Sequence, residues 1–237
     1  MTLDITNAVA IIPARGGSKR LPRKNVLEIS GKPVIAYPIM VAIESGLFRR
    51  VIVSTEDREI SEIALRFGAE VQSRPIELAD DVSKVDDVCA DTVKRLRDAG
   101  DDVDVFCCIY ATAAFLEVRD LIDSYALLNS PSKPDVVMGV SSYPIHPYKA
   151  LIDQGGYLAP LWPADISKKS QQSPFVVASN GTLYWARVES FLRNATFYPE
   201  RLAGYTVPHD RAIDLDTPED LERARAAAAR LKVRPKN

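Results

Sequence analysis

A change of hydrophobic period, repeated along the first 140 residues, constrains the fold more than any other feature of the sequence. Short apolar runs of strand length alternate with amphipathic segments whose apolar residues follow helical spacing. The predicted strands cover residues 8–13, 51–54, 103–110 and 136–140, with a short strand around Val71. The predicted helices cover residues 33–45, 59–67, 85–99 and 118–128, and a glycine follows each of the first three. This order predicts an α/β fold in which a largely parallel sheet carries helices on both faces.

The most hydrophobic of these runs, residues 103–110, is expected to form a central strand. Later in the chain the pattern predicts four further elements. They are a strand over residues 182–186, a short helix over 188–192, a strand over 210–216 and a final helix over 218–231.

The first predicted strand leads directly into a cationic loop. Residues 11–25 have the sequence Ile-Ile-Pro-Ala-Arg-Gly-Gly-Ser-Lys-Arg-Leu-Pro-Arg-Lys-Asn. The cations are Arg15, Lys19, Arg20, Arg23 and Lys24. Cationic side chains and exposed backbone N–H groups bind anions, and ligands of open α/β sheets lie beyond the carboxyl ends of the strands. We therefore predict a phosphate site in this opening loop, defined as residues 14–25.

An aspartate pair near the end of the chain is the second candidate site. Alternation along the predicted strand 210–216 would place Asp214 and Asp216 on one face, with Ile213 and Leu215 in the core. Two carboxylates on one face suit a hard cation such as magnesium (Mg2+). A magnesium site beside a phosphate loop is the chemistry that a triphosphate substrate requires.

The same aspartates have a structural interpretation. Thr217, Pro218 and Asp220 match the start of a helix, with a capping residue, a proline at the first position and a reciprocal acidic cap. Under this alternative, Asp214 and Asp216 only satisfy helix N–H groups and nearby arginines.

Other phosphate-binding and nucleophile motifs are absent from the sequence. There is no Gly-x-x-x-x-Gly-Lys-Ser/Thr, no Gly-x-Gly-x-x-Gly and no Gly-x-Ser-x-Gly. The two histidines, His146 and His209, are far apart and show no ligand spacing. We therefore expect phosphate positioning and metal electrostatics without a covalent intermediate.

Charge and composition narrow the classes of function. The 237 residues include 30 basic and 32 acidic ones, a formal charge of -2, which provides no electrostatic case for binding nucleic acid or a membrane surface. No apolar run reaches the length of a transmembrane helix, so we expect a cytoplasmic protein with no membrane partner. The odd set of three cysteines, with Cys107 and Cys108 adjacent in an apolar run, predicts reduced, buried thiols.

The α/β alternation breaks between residues 141 and 179, a segment that we call the insert. It contains five prolines, and apolar residues flanking positions 153–156 predict a β-hairpin. Its aromatic residues are Tyr143, Tyr148, Tyr157, Trp162 and Phe175. They favour an arm that packs against a second surface, such as a dimerisation arm. A flexible lid and an ordinary surface subdomain are the alternatives.

The opening motif, residues 11–19 with Pro-x-Lys-Asn at 22–25, resembles the signature of the CMP-sialic acid synthetases, the acylneuraminate cytidylyltransferase family. The resemblance continues in order through residues 51–57, 74–79, 146–149, 180–184 and 214–216. The segment Cys-Cys-Ile-Tyr-Ala-Thr-Ala at 107–113 is similar to the pseudaminic acid cytidylyltransferase branch. The resemblance implies one nucleotidyltransferase domain over residues 1–237. Its fold would be a three-layer α/β sandwich with a mainly parallel, Rossmann-like central sheet and a small dimerisation and sugar-site element at 141–179.

The resemblance also implies an activity. Members of this family convert CTP and a nine-carbon 2-keto sugar acid to CMP-sugar and pyrophosphate, and the anomeric hydroxyl attacks the α-phosphorus. Magnesium would stabilise the phosphate charge, as in other in-line transfers. Pseudaminic acid is the expected acceptor and a homodimer the expected assembly. The alternatives are N-acetylneuraminate, legionaminate or 3-deoxy-octulosonate as acceptor, or a non-catalytic nucleotide-binding protein.

Roles for individual residues follow from the matching positions. The implied catalytic residues are Arg15, Lys24 and Asp216, and the implied metal ligands are Asp214 and Asp216. The implied nucleotide-binding residues are Ala14, Arg15, Gly16, Ser18, Asn25, Arg74, Tyr110, Ala111 and Thr112. The implied sugar-binding residues are Asn180, Tyr184 and Lys149.

The sugar-facing positions depart most from the family pattern. Ser170 and Ala178 stand where many sialic acid enzymes have two arginines that bind the sugar carboxylate. Ser-Asn-Gly at 179–181 replaces the Asp-Ala-Gly of the pseudaminic branch, and residues 84–85, Lys-Val, stand where relatives have two serines. An anionic sugar still needs cationic partners. The candidates are Lys149, Lys168 and Lys169.

Overall fold

The computed structural model describes residues 8–80 and 82–231. The strands are β1 (Ala8–Pro13), β2 (Glu28–Ile29), β3 (Lys32–Pro33), β4 (Arg50–Thr55), β5 (Glu70–Ser73), β6 (Val105–Ile109), β7 (Val136–Ser142), β8 (Leu151–Asp153), β9 (Leu158–Pro160), β10 (Val177–Arg187) and β11 (Leu202–Thr206). The helices are α1 (Ala36–Ser45), α2 (Arg58–Arg66), α3 (Val85–Asp98), α4 (Val118–Leu128), α5 (Val188–Asn194) and α6 (Pro218–Arg230).

Seven strands form one sheet in the order β11-β7-β10-β6-β1-β4-β5. Strand β10 is antiparallel to both of its neighbours, and the other pairs in the sheet are parallel. The sheet is therefore mainly parallel, as predicted. Strand β6 occupies the middle position and all of its residues are buried, which confirms the expectation for the most hydrophobic run.

Alternate residues of each strand enter two separate cores, which makes the fold three-layered. In β1, Ala10 and Ile12 pack with helices α1, α2 and α4, whereas Val9 and Ile11 pack with α3 and α5. Cys107 and Cys108 point into opposite cores for the same reason. Together with Cys89 they are buried free thiols, as predicted, and burial raises the pKa of Cys107 well above its usual value.

A third core packs the last described helix, α6, against an early part of the chain, the opening loop and the β2–β3 hairpin. Apolar residues of α6 pack on the β2–β3 hairpin and on Leu21 of the opening loop, and Leu215 is buried in the same cluster. This packing places residues 214–216 beside the opening loop. It is the tertiary feature that assembles the candidate site.

One predicted strand does not form, and one observed strand was not predicted. Residues 210–216 form a turn and an irregular segment instead of a strand, and β11 at the sheet edge was not predicted. Strand β11 pairs with β7 and occupies the edge position. Its residues alternate between exposed and half-buried, so the apolar signal is weak. Leu215 is nevertheless buried between exposed Asp214 and half-buried Asp216, so the predicted alternation of the side chains holds.

Helix α1 begins three residues later than predicted, at Ala36. Lys32 and Pro33 instead form β3, which pairs with β2 across a turn containing Ser30 and Gly31. Both turn residues have positive φ, 48° and 78°, a conformation that glycine adopts without steric cost. Within the described ranges, no helix has the length and apolar character needed to cross a membrane.

Candidate active site

A first cavity of about 190 Å3 lies beyond the carboxyl ends of β1 and β6. Its lining brings together six of the predicted nucleotide-binding residues and Lys24. The lining residues are Pro13, Arg15, Lys24, Asn25, Arg74, Leu78, Asp80, Ser83, Val85, Val88, Tyr110, Ala111 and Thr112. Three of the polar ones, Asn25, Arg74 and Thr112, are buried, with at most 7% of their surface exposed. The cavity is therefore largely pre-formed by the ends of central strands.

A second cavity of about 410 Å3 adjoins the first, and the two share Arg15 and Lys24. It is lined by Arg15, Ser18, Lys19, Arg20, Leu21, Lys24 and Asp216. Four of these side chains are cationic, which confirms that the opening loop concentrates positive charge at one place. Arg15 and Lys24 lie at the boundary between a mostly neutral compartment and a strongly cationic one.

The fifth cation of the loop has a different partner. Arg23 adopts a left-handed conformation with φ 58° and pairs with Asp57 and Glu59, and these hydrogen bonds raise its pKa. The prediction that all five cations face one phosphate site is therefore wrong for Arg23. Its guanidinium ties the loop to the start of α2 instead.

Internal hydrogen bonds fix the shape of the opening loop. Asn25 Nδ2 donates to the carbonyl of Arg15 at 3.0 Å, and the N–H of Gly16 donates to Glu56 Oε1 at 2.7 Å. A Cβ atom at Gly16 would clash with the Asp57 carboxylate, so only glycine fits. The N–H of Ala14 donates to Ser54 O at 3.0 Å, continuing the sheet. The backbone N–H groups of Ala14 and Gly16 thus hold the loop in place and are not available to an anion.

Arg74 forms the buried wall of the first cavity. Its NH2 donates to Ser54 O at 2.7 Å, and burial lowers its pKa. Among the described residues, Arg74 Nε and Glu56 Oε2 are buried without hydrogen-bond partners. Unpaired buried polar atoms are costly, so the Nε of Arg74 in the wall of the cavity marks a place where a polar ligand is stabilised. Glu56 was not singled out from the sequence, although its position directly after β4 was a usable signal.

Tyr110 and Thr112 form the opposite wall, in a turn after β6. Ala113 N donates to Tyr110 O at 3.0 Å and Ala114 N donates to Thr112 O at 2.8 Å. The Tyr110 ring is tilted against Tyr184 with centroids 5.5 Å apart, and burial raises the pKa of its hydroxyl. The phenol is therefore a neutral, fixed surface at neutral pH.

Asp216 faces the cationic cavity. Its Oδ1 lies 3.1 Å from Lys24 Nζ, and its Oδ2 lies 2.6 Å from Arg20 NH2. The helix cap is made by other residues: Asp220 Oδ2 accepts from the N–H groups of Asp216 and Thr217 at 3.0 and 2.8 Å. The capping interpretation thus fails for the Asp216 side chain, whereas its pairing with an arginine holds.

Asp214 lies at the edge of a further cavity. One side of its carboxyl is open to solvent, and protein surrounds the other sides. Burial by these surroundings raises the pKa of its carboxyl, and the charge of Asp216 raises it further, with Lys24 opposing. Two carboxylates that repel each other suit a divalent cation. Among the described residues, no three His, Cys, Asp or Glu side chains form a metal site. The two carboxylates alone are too few ligands for a metal site of protein atoms. They fit magnesium in its common form of binding, in which one or two carboxylates and the phosphates of the substrate hold the ion.

A third cavity of about 320 Å3 lies beside Asp214, at the base of the insert. It is lined by Ser141, Ser142, Tyr143, Pro144, Ala178, Ser179, Asn180, Gly181, His209, Ala212 and Asp214. Asn180 is oriented by two side chains: Oδ1 accepts from Thr182 Oγ1 at 2.6 Å, and Nδ2 donates to Ser141 Oγ at 3.1 Å. The predicted sugar residue Asn180 and the predicted metal ligand Asp214 therefore share one cavity.

The other two residues predicted to bind sugar lie elsewhere. Tyr184 is buried in the second core, stacked on Phe197, and its hydroxyl shares a 2.5 Å hydrogen bond with Ser179 Oγ. The ammonium of Lys149 donates to the carbonyls of Ile166 and Lys168 inside the insert. In this conformation Tyr184 supports the cavity from below, and Lys149 braces the insert.

The insert forms the predicted hairpin. Strands β8 and β9 pair antiparallel, with Ile152 opposite Ala159. Its exposed apolar side chains are Tyr143, Ile145, Leu151, Ile152, Tyr157, Leu158, Leu161, Trp162 and Phe175. This concentration of exposed apolar surface is unusual for a single chain in water.

Comparison with known proteins agrees with this geometry. The family model described as cytidylyltransferase matches residues 9–232. The chain belongs to the cytidylyltransferase family. It is 31% identical over 219 residues to the pseudaminic acid cytidylyltransferase of Campylobacter jejuni subsp. jejuni serotype O:23/36 (strain 81-176), covering 92% of this chain and 94% of the relative. It is 29% identical over 216 residues to the CMP-N,N'-diacetyllegionaminic acid synthase of Legionella pneumophila subsp. pneumophila, covering 90% and 92% of the two chains.

Solved cytidylyltransferase structures have the same fold. A CMP:2-keto-3-deoxy-manno-octonic acid synthetase, solved in complex with CTP, superimposes with a TM-score of 0.72 over 95% of this chain and 100% of that one, at 20% identity. The predicted family, the three-layer α/β fold and the enzyme class, a nucleotidyltransferase, are thereby confirmed.

Proposed function

We propose that this cytidylyltransferase is a magnesium-dependent enzyme that joins CTP to a nonulosonic acid, with pseudaminic acid as the foremost candidate. The products would be CMP-sugar and pyrophosphate. The observation that carries the proposal is the pair of adjoining cavities that share Arg15 and Lys24. One compartment suits a nucleoside and the other suits phosphates, and their boundary is where the reacting α-phosphate would lie. Relatives named for pseudaminic and diacetyllegionaminic acid support the choice of acceptor.

In this proposal the cytidine lies in the first cavity. Arg74, Asn25 and Thr112 are buried there and fixed by the surrounding backbone, so they can discriminate a base edge with little reorganisation. The triphosphate extends into the second cavity. Four cations there neutralise the phosphates and the charge that grows in the transition state.

The reaction itself is an in-line displacement. The anomeric hydroxyl oxygen bonds to the α-phosphorus, the bond to the β-phosphate oxygen breaks, pyrophosphate leaves and the hydroxyl proton is released. Arg15 and Lys24 would stabilise the charge on the α-phosphate oxygens. Asp214 and Asp216 would hold magnesium, which supplies further charge neutralisation when bound.

The acceptor sugar would occupy the third cavity. Asn180 and Ser141 provide polar groups that are already oriented, and Asp214 borders both this cavity and the Asp216 site. A sugar held there has its hydroxyl beside the proposed metal pair. The proposal therefore requires no large movement of the core.

The insert would form a homodimer contact. Its exposed apolar side chains need a covering surface, and a second copy of the chain presents an identical one. A cytoplasmic location fits the reduced cysteines and the use of CTP.

The decisive experiment measures pyrophosphate release from CTP with pseudaminic, legionaminic, N-acetylneuraminic and 3-deoxy-manno-octulosonic acids, with and without magnesium. Turnover with at least one acid, dependent on magnesium and absent with UTP, is expected. Silence with every acid would contradict the proposal. CTP binding without turnover would instead favour a non-catalytic nucleotide-binding protein.

A further inference from the structure

The third cavity poses an electrostatic problem for an acidic ligand. Asp214 contributes negative charge, and Ser141, Ser179 and Asn180 contribute neutral polar groups. The two carboxylates of Asp214 and Asp216 would neutralise the proposed magnesium, so a sugar carboxylate beside these groups needs a further cationic partner. Among the described residues that line the cavity, His209 is the one whose side chain can carry a positive charge.

We propose that His209 binds the carboxylate of the acidic sugar in the third cavity and so selects acids over neutral sugars. The inference rests on the proposed function, because it takes the third cavity as the sugar site. It assigns a binding role to a residue outside every motif that linked the sequence to the family.

The orientation of the His209 ring supports this role. Its Nε2 is hydrogen-bonded to the carbonyl of Ser142, at the end of β7. A carbonyl only accepts hydrogen bonds, so Nε2 carries a hydrogen in this arrangement. In the neutral ring Nδ1 is then a lone-pair acceptor that repels a carboxylate, whereas in the protonated ring Nδ1 is a donor. Binding an anion through Nδ1 therefore requires the charged form.

Charged and titratable groups lie on two sides of His209, which lines both the third cavity and a neighbouring one. On its outer side a neighbouring cavity is lined by Asp210, Arg223 and Arg230. The two arginines form salt bridges with acids, Arg230 with Asp210 at 3.4 Å and Arg223 with Asp220 at 2.5 Å. On the sugar side the titratable groups are Asp214 and Tyr143.

The test uses His209→Gln, which keeps an N–H donor for the Ser142 carbonyl but carries no charge. We expect the KM for the sugar acid to rise at least tenfold, the effect of about one charge-assisted hydrogen bond. The KM for CTP and kcat should stay at wild-type values. His209→Lys should recover part of the loss. Arg230→Gln, which removes a positive charge on the outer side of His209, should leave the KM unchanged.

The pH profile provides a second measurement. In the wild-type enzyme the KM for the sugar acid should rise with increasing pH, because only the protonated imidazole donates through Nδ1, and in His209→Lys it should not. An unchanged KM in His209→Gln, or a loss confined to kcat, would overturn the inference while wild-type turnover leaves the proposed function intact. Absence of wild-type turnover with every acid would remove both.

Discussion

The proposed nucleotide end of the site, formed by the first two cavities, and the proposed sugar end, formed by the third, are built from different parts of the fold. At the nucleotide end, Asn25, Arg74 and Thr112 are buried and held by the ends of central strands. At the sugar end, Ser179 and Asn180 are half-buried and Tyr143 is 44% exposed, beside the insert. The sheet itself supports the first end. Residues at the second end can be substituted without disturbing the core, because they lie at its surface. A conserved reaction with a variable acceptor is the behaviour that such an arrangement permits.

Asp216 lines the second cavity, and its charge acts on Asp214 beside the third, so its removal is expected to have the largest effect. Asp216→Ala should lower kcat about a thousandfold, or ~4 kcal/mol, through loss of a proposed metal ligand. The fold should survive because the cap of α6 is made by Thr217 and Asp220. Pyrophosphate release and circular dichroism measure the two quantities.

The matched control for that variant is Asp220→Ala, which removes the acidic half of the cap and leaves the Thr217 hydroxyl in place. It should reduce the free energy of unfolding by about 1 kcal/mol with activity retained. If Asp216→Ala unfolds cooperatively instead, the carboxylate is structural and the two ends do not share a metal site.

The variant Arg15→Ala tests the proposed nucleotide end without changing the sugar end. Arg15→Ala should cost on the order of 3 kcal/mol of transition-state stabilisation, more than a hundredfold in kcat/KM, by analogy with the loss of one oxyanion-hole donor. Arg23→Ala is the control, because Arg23 pairs with Asp57 and Glu59 and does not line the phosphate cavity. Equal losses in the two variants would mean that the loop acts only as a structural unit.

A substitution in the insert tests the proposed homodimer contact beside the sugar end. Leu158 is 68% exposed on β9, and Leu158→Glu should weaken a homodimer about tenfold or more with little change in protomer stability. Light scattering across a concentration series measures the shift. Leu127→Glu, an exposed apolar position on α4 outside the insert, should leave the assembly unchanged. A wild-type chain that is monomeric at every concentration would exclude the dimer.

Asp57 is expected to affect folding stability and to have the smallest effect on the reaction. It caps α2 by accepting from Ile60 N at 3.0 Å and it pairs with Arg23, so Asp57→Ala should lose about 1–2 kcal/mol of folding stability at neutral pH. Asp57→Asn keeps the capping acceptor and should lose less.

The pH dependence of this effect has a definite sign. The hydrogen bond from Arg23 lowers the pKa of the Asp57 carboxyl in the folded protein. Its stabilisation is therefore fully present above the unfolded pKa of about 3.9 and is lost as the pH falls through the lower folded value. Urea titrations of wild type and Asp57→Ala should converge in acid. A constant difference down to acidic pH would show that the charge contributes nothing.

Much of the fold was predictable because its signals are local. The hydrophobic periods placed β1 and α4 at their observed bounds, Ala8–Pro13 and Val118–Leu128, since each period reports one element independently of its neighbours. The prediction of a strand at 210–216 was wrong because the alternation there has another cause. Leu215 anchors the segment under α6 while its backbone pairs with no strand. Strand β11 was missed because its exposed edge carries little apolar signal.

The sequence predicted several of the residues that line the cavities, but it did not predict which of them contact each other. Arg15, Lys24 and Asp216 were expected to act together, and the structure brings them to one cavity. Arg23 was expected beside them and instead binds Asp57, because two nearby acids compete for the same cation. Tyr184 was expected in the sugar site and is buried, because β10 lies inside the sheet.

The sequence by itself determined the class of the fold, the position of the cationic loop after the first strand, and the family. All three depend on residues that are close in the chain or on motifs in a fixed order. Only the tertiary structure decided which charges meet. Lys24 and Asp216 are 192 positions apart and are joined because α6 packs on the β2–β3 hairpin. Likewise, His209 borders the sugar cavity because its ring is held at the end of β7. Such contacts depend on how helices and strands pack and on which of several ionic partners lies nearest, and spacing along the chain specifies neither.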